Sequence, residues 1–308
     1  MSFAVLFPGQ GSQHVGMGGD LFDARPDLLG EAADEILGWS LRRLCLDGPE
    51  EALTGTDRAQ PALYAVAHAL WRALADSLDR PPQAAAGHSL GEYTALVAAD
   101  ALSYPAGLAL VAARGRVMAA AASLEPSGMA ALIGGDDAAA EALAATRRAL
   151  GGRLWVANLN APGQVVVAGG TGDIAWAVDA ASEHEIRRVM PLKVAGAFHS
   201  PFMEPAAAAL AEVMGEVVFA PPAFPVWANA TAAPHGDSIG ETLLAQLTAP
   251  VRFGDSLRAM AAAGVDTFVH VGPGDVTAGL ARRSVEGATT LAVSSLEDVA
   301  GVAAALAS

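Results

Sequence analysis

The sequence predicts an α/β protein: a parallel-sheet core with a small antiparallel unit inserted into it. Three observations carry that reading. Apolar runs of strand length, Phe3–Phe7 and Ala84–Ala86, each end at a Gly-rich turn, as buried parallel strands do. The second turn places Ser89 between a strand and a helix, in the spacing Gly87-x-Ser89-x-Gly91 that marks an α/β-hydrolase-like nucleophile turn. Between Met129 and Leu192 the pattern runs strand, helix, strand, strand, helix, strand, the ferredoxin-like βαββαβ order.

The elements follow in order. After the Phe3–Phe7 strand comes Pro8-Gly9-Gln10-Gly11-Ser12-Gln13, a loop whose backbone N–H groups can sit near a site. It lacks the lysine and the spacing of a nucleotide-binding phosphate loop. Glu31–Leu46 and Gln60–Leu78 have helical periodicity; in the second, Leu63, Val66, Ala67, Leu70 and Leu74 share a face. The helix after Ser89 runs on through Leu96, Val97 and Ala99. Pro105 sits near the start of a helix that reaches Ala122, where Leu108, Val111 and Ala112 are interspersed with Arg114 and Arg116. In the inserted unit Met129–Ile133, Leu154–Asn158, Val165–Ala168 and Ile186–Leu192 are strands, and Asp137–Leu150 and Asp173–His184 are helices. The expected division is 1–125 with 195–308 for the large domain, and 126–194 for the small one. The chain then returns through Ala195–Pro201 to a helix, Met203–Met214, and a strand, Phe224–Trp227. Helices Ile239–Leu247 and Phe253–Ala263 precede a last strand, Thr267–Val271, closed by Gly272-Pro273-Gly274.

Composition narrows the class. The chain has 308 residues, 53% of them hydrophobic and 17% charged. A chain of that length can bury about 75% of its unfolded surface without staples. The single cysteine, Cys45, lies between Leu44 and Leu46; it reads as core, excludes an internal disulfide and fits a reducing, cytoplasmic setting. Met1–Leu6 is too short and uncharged for a signal peptide, and no apolar run reaches membrane-spanning length. A net charge of −15 with one lysine, Lys193, argues against nucleic-acid binding. An anionic ligand or partner would need a local cluster of arginines.

Ser89 is the candidate nucleophile. Small neighbours at 87 and 91 let strand and helix pass close together, and the helix N-terminus aims free N–H groups at the reacting atoms. A serine needs a base. His68 and His270 lie within regular elements and His184 ends one, so each reads as structural. His88 adjoins the serine at a sharp turn, where neighbours point apart, and would steady the turn. His199, in a loop between Phe198 and a Ser-Pro helix start, is the candidate base. An ordinary α/β-hydrolase would place an orienting acid between serine and histidine. Here the inserted unit largely fills that interval and no acid stands out, so a backbone carbonyl could serve instead. Arg114, on the helix that reaches Ala122 and 25 residues after the serine, is the natural receptor for a carboxylate if it faces the pocket; facing outward it is surface, as Arg116 is expected to be.

Several blocks now stand in register: Phe7–Gln13, Gln60-Pro61-Ala62-Leu63, Gly87–Tyr93, Arg114-Gly115 with Met118, Asn160–Val165, Ala197-Phe198-His199-Ser200 and Gly272-Pro273-Gly274. Together they resemble the malonyl-CoA:acyl-carrier-protein transacylases, which include the discrete enzymes of bacterial fatty acid synthesis and the acyltransferases of polyketide synthases. The resemblance spans nearly the whole chain. It implies that Ser89 is acylated with His199 as its base, and that the N–H groups of Leu90 and Gln10 form the oxyanion hole. It further implies that Arg114 clamps the malonyl carboxylate and that the backbone carbonyl of Gln246 orients His199. Asn160 and Asn229 would be supporting polar groups, while Phe198 and Leu90 would narrow the pocket against an α-branch. Malonyl-CoA would be donor and the phosphopantetheine of an acidic carrier protein acceptor, with Arg187, Arg188, Lys193, Arg282 and Arg283 as candidate docking cations. No metal, no permanently bound cofactor and a monomer are expected. The sequence departs from the family pattern at Ala119, where glutamine is common, at Asp275-Val276-Thr277, where a lysine and then aliphatic residues are usual, and at Arg282-Arg283, in place of a Lys-Arg-like pair. Two other readings stand beside the transacylase: a hydrolase that clears acyl groups from carrier proteins with water as acceptor, and a non-catalytic scaffold that binds carrier proteins.

Overall fold

A computed structural model describes residues 2–307 of the chain. Its main sheet has six strands in the order β10-β9-β1-β2-β7-β8. These are β1 (Phe3–Phe7), β2 (Ala84–Gly87), β7 (Val226–Ala228), β8 (Ala233–Pro234), β9 (Thr267–Val271) and β10 (Thr289–Val293). All neighbours are parallel except the short edge strand β8, which runs antiparallel to β7. Strand β1 is buried on both faces, and its residues divide by the period of two that a pleated strand imposes. Phe3, Val5 and Phe7 enter the core beneath helix Thr56–Ala75, while Ala4 and Leu6 enter a second core with Phe253 and Leu257. Two-sided burial explains the unbroken apolar run.

The smaller sheet has the order β4-β5-β3-β6, antiparallel throughout. Its strands are β3 (Ser127–Ile133), β4 (Leu154–Ala161), β5 (Gln164–Gly170) and β6 (Arg188–Pro191), with helices Asp137–Ala149 and Thr171–Ala180 between them. One face, with Ala130, Leu132, Val165 and Val167, packs on Leu143 and Ala144 of the first helix and Ile174 and Ala177 of the second. The other face presents Met129, Val166 and Ala168 to the core of the large sheet's layer. The unit therefore rests on the larger body, with the cleft described below between them.

Several boundaries differ from expectation. The helix expected over Glu31–Leu46 is two helices, Glu31–Leu37 and Leu41–Asp47. Gly38 ends the first in a left-handed conformation, and the Ser40 side chain accepts from the Arg43 N–H to cap the second. The helix expected over Gln60–Leu78 runs Thr56–Ala75 after a short helix, Glu50–Thr54, and Pro61 falls inside it, with no N–H to give the carbonyl four residues back. The helix expected over Asp173–His184 stops at Ala180 and tightens into a 3₁₀ turn, Ala181–His184. Strand β10 and helices Val276–Ser284 and Leu296–Ala307 complete the large sheet's layers beyond the last expected strand. Cys45 is buried core, its thiol pushed up to about 12 by burial. Among the described residues no helix is long and apolar enough to cross a membrane.

Candidate active site

The site forms where β1 and β2 end side by side, with Phe7 paired to Gly87. Open parallel sheets collect ligands at this carboxyl edge. The chain leaves β2 through a turn so tight that a Cβ on Gly87 would lie 1.8 Å from the Gly91 carbonyl carbon. A Cβ on Gly91 would lie 2.3 Å from the Phe7 carbonyl oxygen. Ser89, between them, holds φ at 51°, a left-handed conformation that serine adopts at a cost. The Asn229 amide offsets that cost by clipping the turn. Its Oδ1 accepts from the Ser89 N–H at 2.7 Å and its Nδ2 donates to the Gly87 carbonyl at 2.8 Å. His88 steadies the other side, its Nε2 2.7 Å from Oδ1 of Asn160 and its ring edge-to-face with Phe253. Asn160 lies at an irregularity in the β4–β5 pairing, a common device for re-aiming a side chain beside a site.

Ser89 Oγ is 2.8 Å from Nε2 of His199. Nδ1 of His199 donates to the main-chain carbonyl of Gln246 at 2.8 Å, which fixes the tautomer and leaves Nε2 free to accept. Burial, with the Arg114 guanidinium adding to it, pushes His199 down to about 3. The imidazole is thus neutral, as a base must be.

Arg114 reaches the same point from helix Tyr104–Ala122 and is 1% exposed. Nη1 donates to Oε1 of Gln60 at 2.5 Å. Nη2 donates to Oε1 of Gln246 at 2.8 Å and to Ser89 Oγ at 3.1 Å. The guanidinium carbon lies 5.3 Å from the Tyr93 ring centroid, and burial holds the group below its ordinary pKa. Among the described residues no carboxylate pairs with it. Arg116 is exposed on the far side of the same helix.

These groups line a cleft of about 330 Å³ between the two sheets. Phe198, Leu90, Met118 and Val166 form apolar wall, Asn160 and Gln164 lie along it, and Lys193 stands among its lining. The main-chain N–H groups of Gln10 and Leu90 border it and donate to no acceptor within the described protein. Of the candidate docking cations, Arg187, Arg188, Arg282 and Arg283 are exposed, and Arg283 donates to Gln164 at 2.6 Å. Among the described residues no cluster of His, Cys, Asp or Glu could hold a metal.

All the sequence-derived site residues therefore meet at one cleft or directly support it. The sequence reading missed the side chains of Gln60 and Gln246, which hold Arg114, and the buried pair of Glu92 and His235 behind them. A glutamine within the buried run Ala59–Ala67 was the available signal for Gln60. Glu92 carries no such signal, since an acid in a helix's first turn is ordinary.

Residues 4–298 match the family model described as "Acyl transferase domain". The chain is 40% identical, over 96% of its length and 94% of the relative's, to the malonyl CoA-acyl carrier protein transacylase of Bacillus subtilis. An acyl carrier protein S-malonyltransferase from Vibrio cholerae superposes with a TM-score of 0.92 at 37% identity, covering 98% of this chain and all of that one. PlMCAT, a malonyl-transacylase solved in complex with the type II PKS acyl-carrier protein AntF, superposes with a TM-score of 0.94 at 34% identity, over 99% of this chain and all of that one. With the match to the family model running almost end to end, the chain belongs to the acyl transferase family.

Proposed function

We propose that this protein moves a malonyl group from CoA to the phosphopantetheine thiol of an acyl carrier protein, through a malonyl ester on Ser89, in fatty acid or polyketide synthesis. One observation carries the reading: a guanidinium without a carboxylate partner among the described residues lies 3.1 Å from a serine hydroxyl that is itself 2.8 Å from an imidazole. A nucleophile and base alone would suit any acyl group. The added unneutralised cation suits an acyl group that ends in a carboxylate.

Ser89 Oγ attacks the thioester carbonyl carbon while Nε2 of His199 takes its proton. The oxyanion is received by the free N–H groups of Gln10 and Leu90, donors of a kind worth about 3–4 kcal/mol each. The intermediate collapses, CoA sulfur leaves with the proton from His199, and the ester remains with its carboxylate on Arg114. The carrier's thiol then gives its proton to His199 and attacks the ester carbonyl. Ser89 Oγ leaves and recovers the proton, which restores the enzyme. Lys193 at the cleft and Arg283 on its lining residue Gln164, with Arg187, Arg188 and Arg282 beyond, are the cations proposed to receive an acidic carrier, against a chain of net charge −15. The carrier complex of PlMCAT supports a partner of this class.

The test is intact-protein mass spectrometry after incubation with equal amounts of malonyl-, methylmalonyl- and acetyl-CoA. A malonyl adduct absent from Ser89→Ala is expected, and it should pass to a holo carrier protein. A predominant acetyl adduct, or a malonyl adduct that persists in S89A, would overturn the reading. Release of free malonate from malonyl-CoA at the transfer rate would favour a hydrolase, and no labelling by a fluorophosphonate would favour a scaffold.

A further inference from the structure

Glu92 lies wholly buried in the helix that follows Ser89, outside the lining of the cleft. Three donors converge on its carboxylate. Oε1 accepts from Nε2 of His235 at 2.8 Å, and Oε2 accepts from the Asn229 main-chain N–H at 2.9 Å and from Nε2 of Gln246 at 2.6 Å. The Gln246 amide also donates to the Ser89 carbonyl at 3.0 Å, while its oxygen faces Arg114. Turned over, that amide would set its oxygen against the Glu92 carboxylate and the Ser89 carbonyl, acceptors against acceptor, and its NH₂ against the guanidinium. The carboxylate, together with the Ser89 carbonyl, therefore sets which end of Gln246 faces Arg114.

The arrangement has a consequence for charge. Arg114 is held by two amide oxygens, from Gln60 and Gln246. A carboxylate in either place would neutralise the guanidinium and compete with an incoming acyl carboxylate. Set one amide back, the acid orients the clamp and leaves its charge available. We propose that Glu92, anchored by His235, is a positioning residue for the acyl carboxylate, acting through the side chain of Gln246 on Arg114. The proposal rests on the malonyl-transfer reading above.

Glu92→Gln keeps the shape but removes the charge and turns one of the two acceptor oxygens into an NH₂, so the Gln246 amide loses the carboxylate that holds it. The measurements are kcat and KM for malonyl- and acetyl-CoA, with the rate of fluorophosphonate labelling of Ser89 as a probe of the nucleophile alone. In Glu92→Gln the malonyl-over-acetyl ratio of kcat/KM should fall about tenfold, mainly through malonyl KM, with labelling within about twofold of wild type. Glu92→Asp, which keeps the charge one methylene back, should show a smaller loss of the same kind and serves if the glutamine variant does not fold. An unchanged ratio, or labelling that falls in parallel with transfer, would show that Glu92 merely holds the turn together and would overturn the proposal. Failure of the wild type to take up malonyl would instead sink the function itself.

Discussion

The imidazole of His199 is oriented by a main-chain atom, the carbonyl oxygen of Gln246, at 2.8 Å from Nδ1. The side chain of the same residue holds Arg114 at 2.8 Å. Base and cation are thus registered to one another through a single residue at the end of helix Ile239–Gln246. Among the described residues no acid touches the base; burial first, and the Arg114 charge second, keep it neutral, and the Gln246 carbonyl offsets them only in part.

Removing the cation should change which substrate is preferred. Two charge-assisted hydrogen bonds from Arg114 to an acyl carboxylate, at about 1.5–3 kcal/mol each, amount to a factor of at least about 100 in malonyl kcat/KM. Arg114→Ala should lose that factor for malonyl-CoA and not for acetyl-CoA, measured as transfer to a carrier protein. An equal loss for both would move Arg114 from clamp to scaffold.

How legible this was depended on range in sequence. The turn around Ser89 was readable because its constraints are local: Gly87 and Gly91 must be small, and both lie within two residues of the serine. The small sheet was readable because its strands and helices are consecutive and amphipathic at their own periods. His199 was reached by setting aside the histidines that lie within or end regular elements, or adjoin the serine, and the motif blocks then named it again; the place of Gln246 came from the blocks alone, since no periodicity links residues 199 and 246. Glu92, Gln60 and His235 were hidden because a buried polar network leaves no pattern along the chain; each member is satisfied by a residue more than fifty positions away. The break at Gly38 was missed because helical periodicity persists across it.

The tightness of the nucleophile turn makes a stability prediction. Gly91→Ala would drive a methyl into the carbonyls of Phe7 and Pro8, backbone atoms that cannot move without breaking β1 from the turn. The expected loss is about 3 kcal/mol, read as a shift in urea midpoint, with Ser89 labelling abolished or much slowed. A variant as stable as wild type would mean that strand and helix do not approach as described.

Acyl-chain selectivity should respond to the wall of the cleft. Phe198 is 6% exposed and lines the space beside Ser89 with Leu90 and Met118. Phe198→Ala opens room for an α-methyl group, and one methyl is worth about 1–3 kcal/mol in such a pocket. Competition between malonyl- and methylmalonyl-CoA, read by adduct mass, should shift toward methylmalonyl by about tenfold or more. No shift would remove Phe198 from the selectivity role.

Acid should destabilise the protein through its buried histidines. His199 and His68 are both pushed down to about 3, chiefly by burial, from an ordinary 6.5. Between those values the unfolded chain takes up protons that the folded protein refuses. Stability therefore falls as pH falls below about 6.5, by about 1.4 kcal/mol per pH unit for each such histidine, and is insensitive to these groups above it. His68 can be tested without touching the cleft. It stacks with Tyr104 at 5.0 Å and with Tyr64 at 6.4 Å, and its Nδ1 has no hydrogen-bond partner among the described residues. His68→Phe keeps an aromatic ring in the stack and removes the titration. Unfolding free energies measured between about pH 6 and pH 4 should decline less steeply in H68F than in wild type, by about 1.4 kcal/mol per pH unit. Parallel declines would mean that His68 is protonated as easily in the folded protein as in the unfolded one, and the stacked, desolvated environment assigned to it would be wrong.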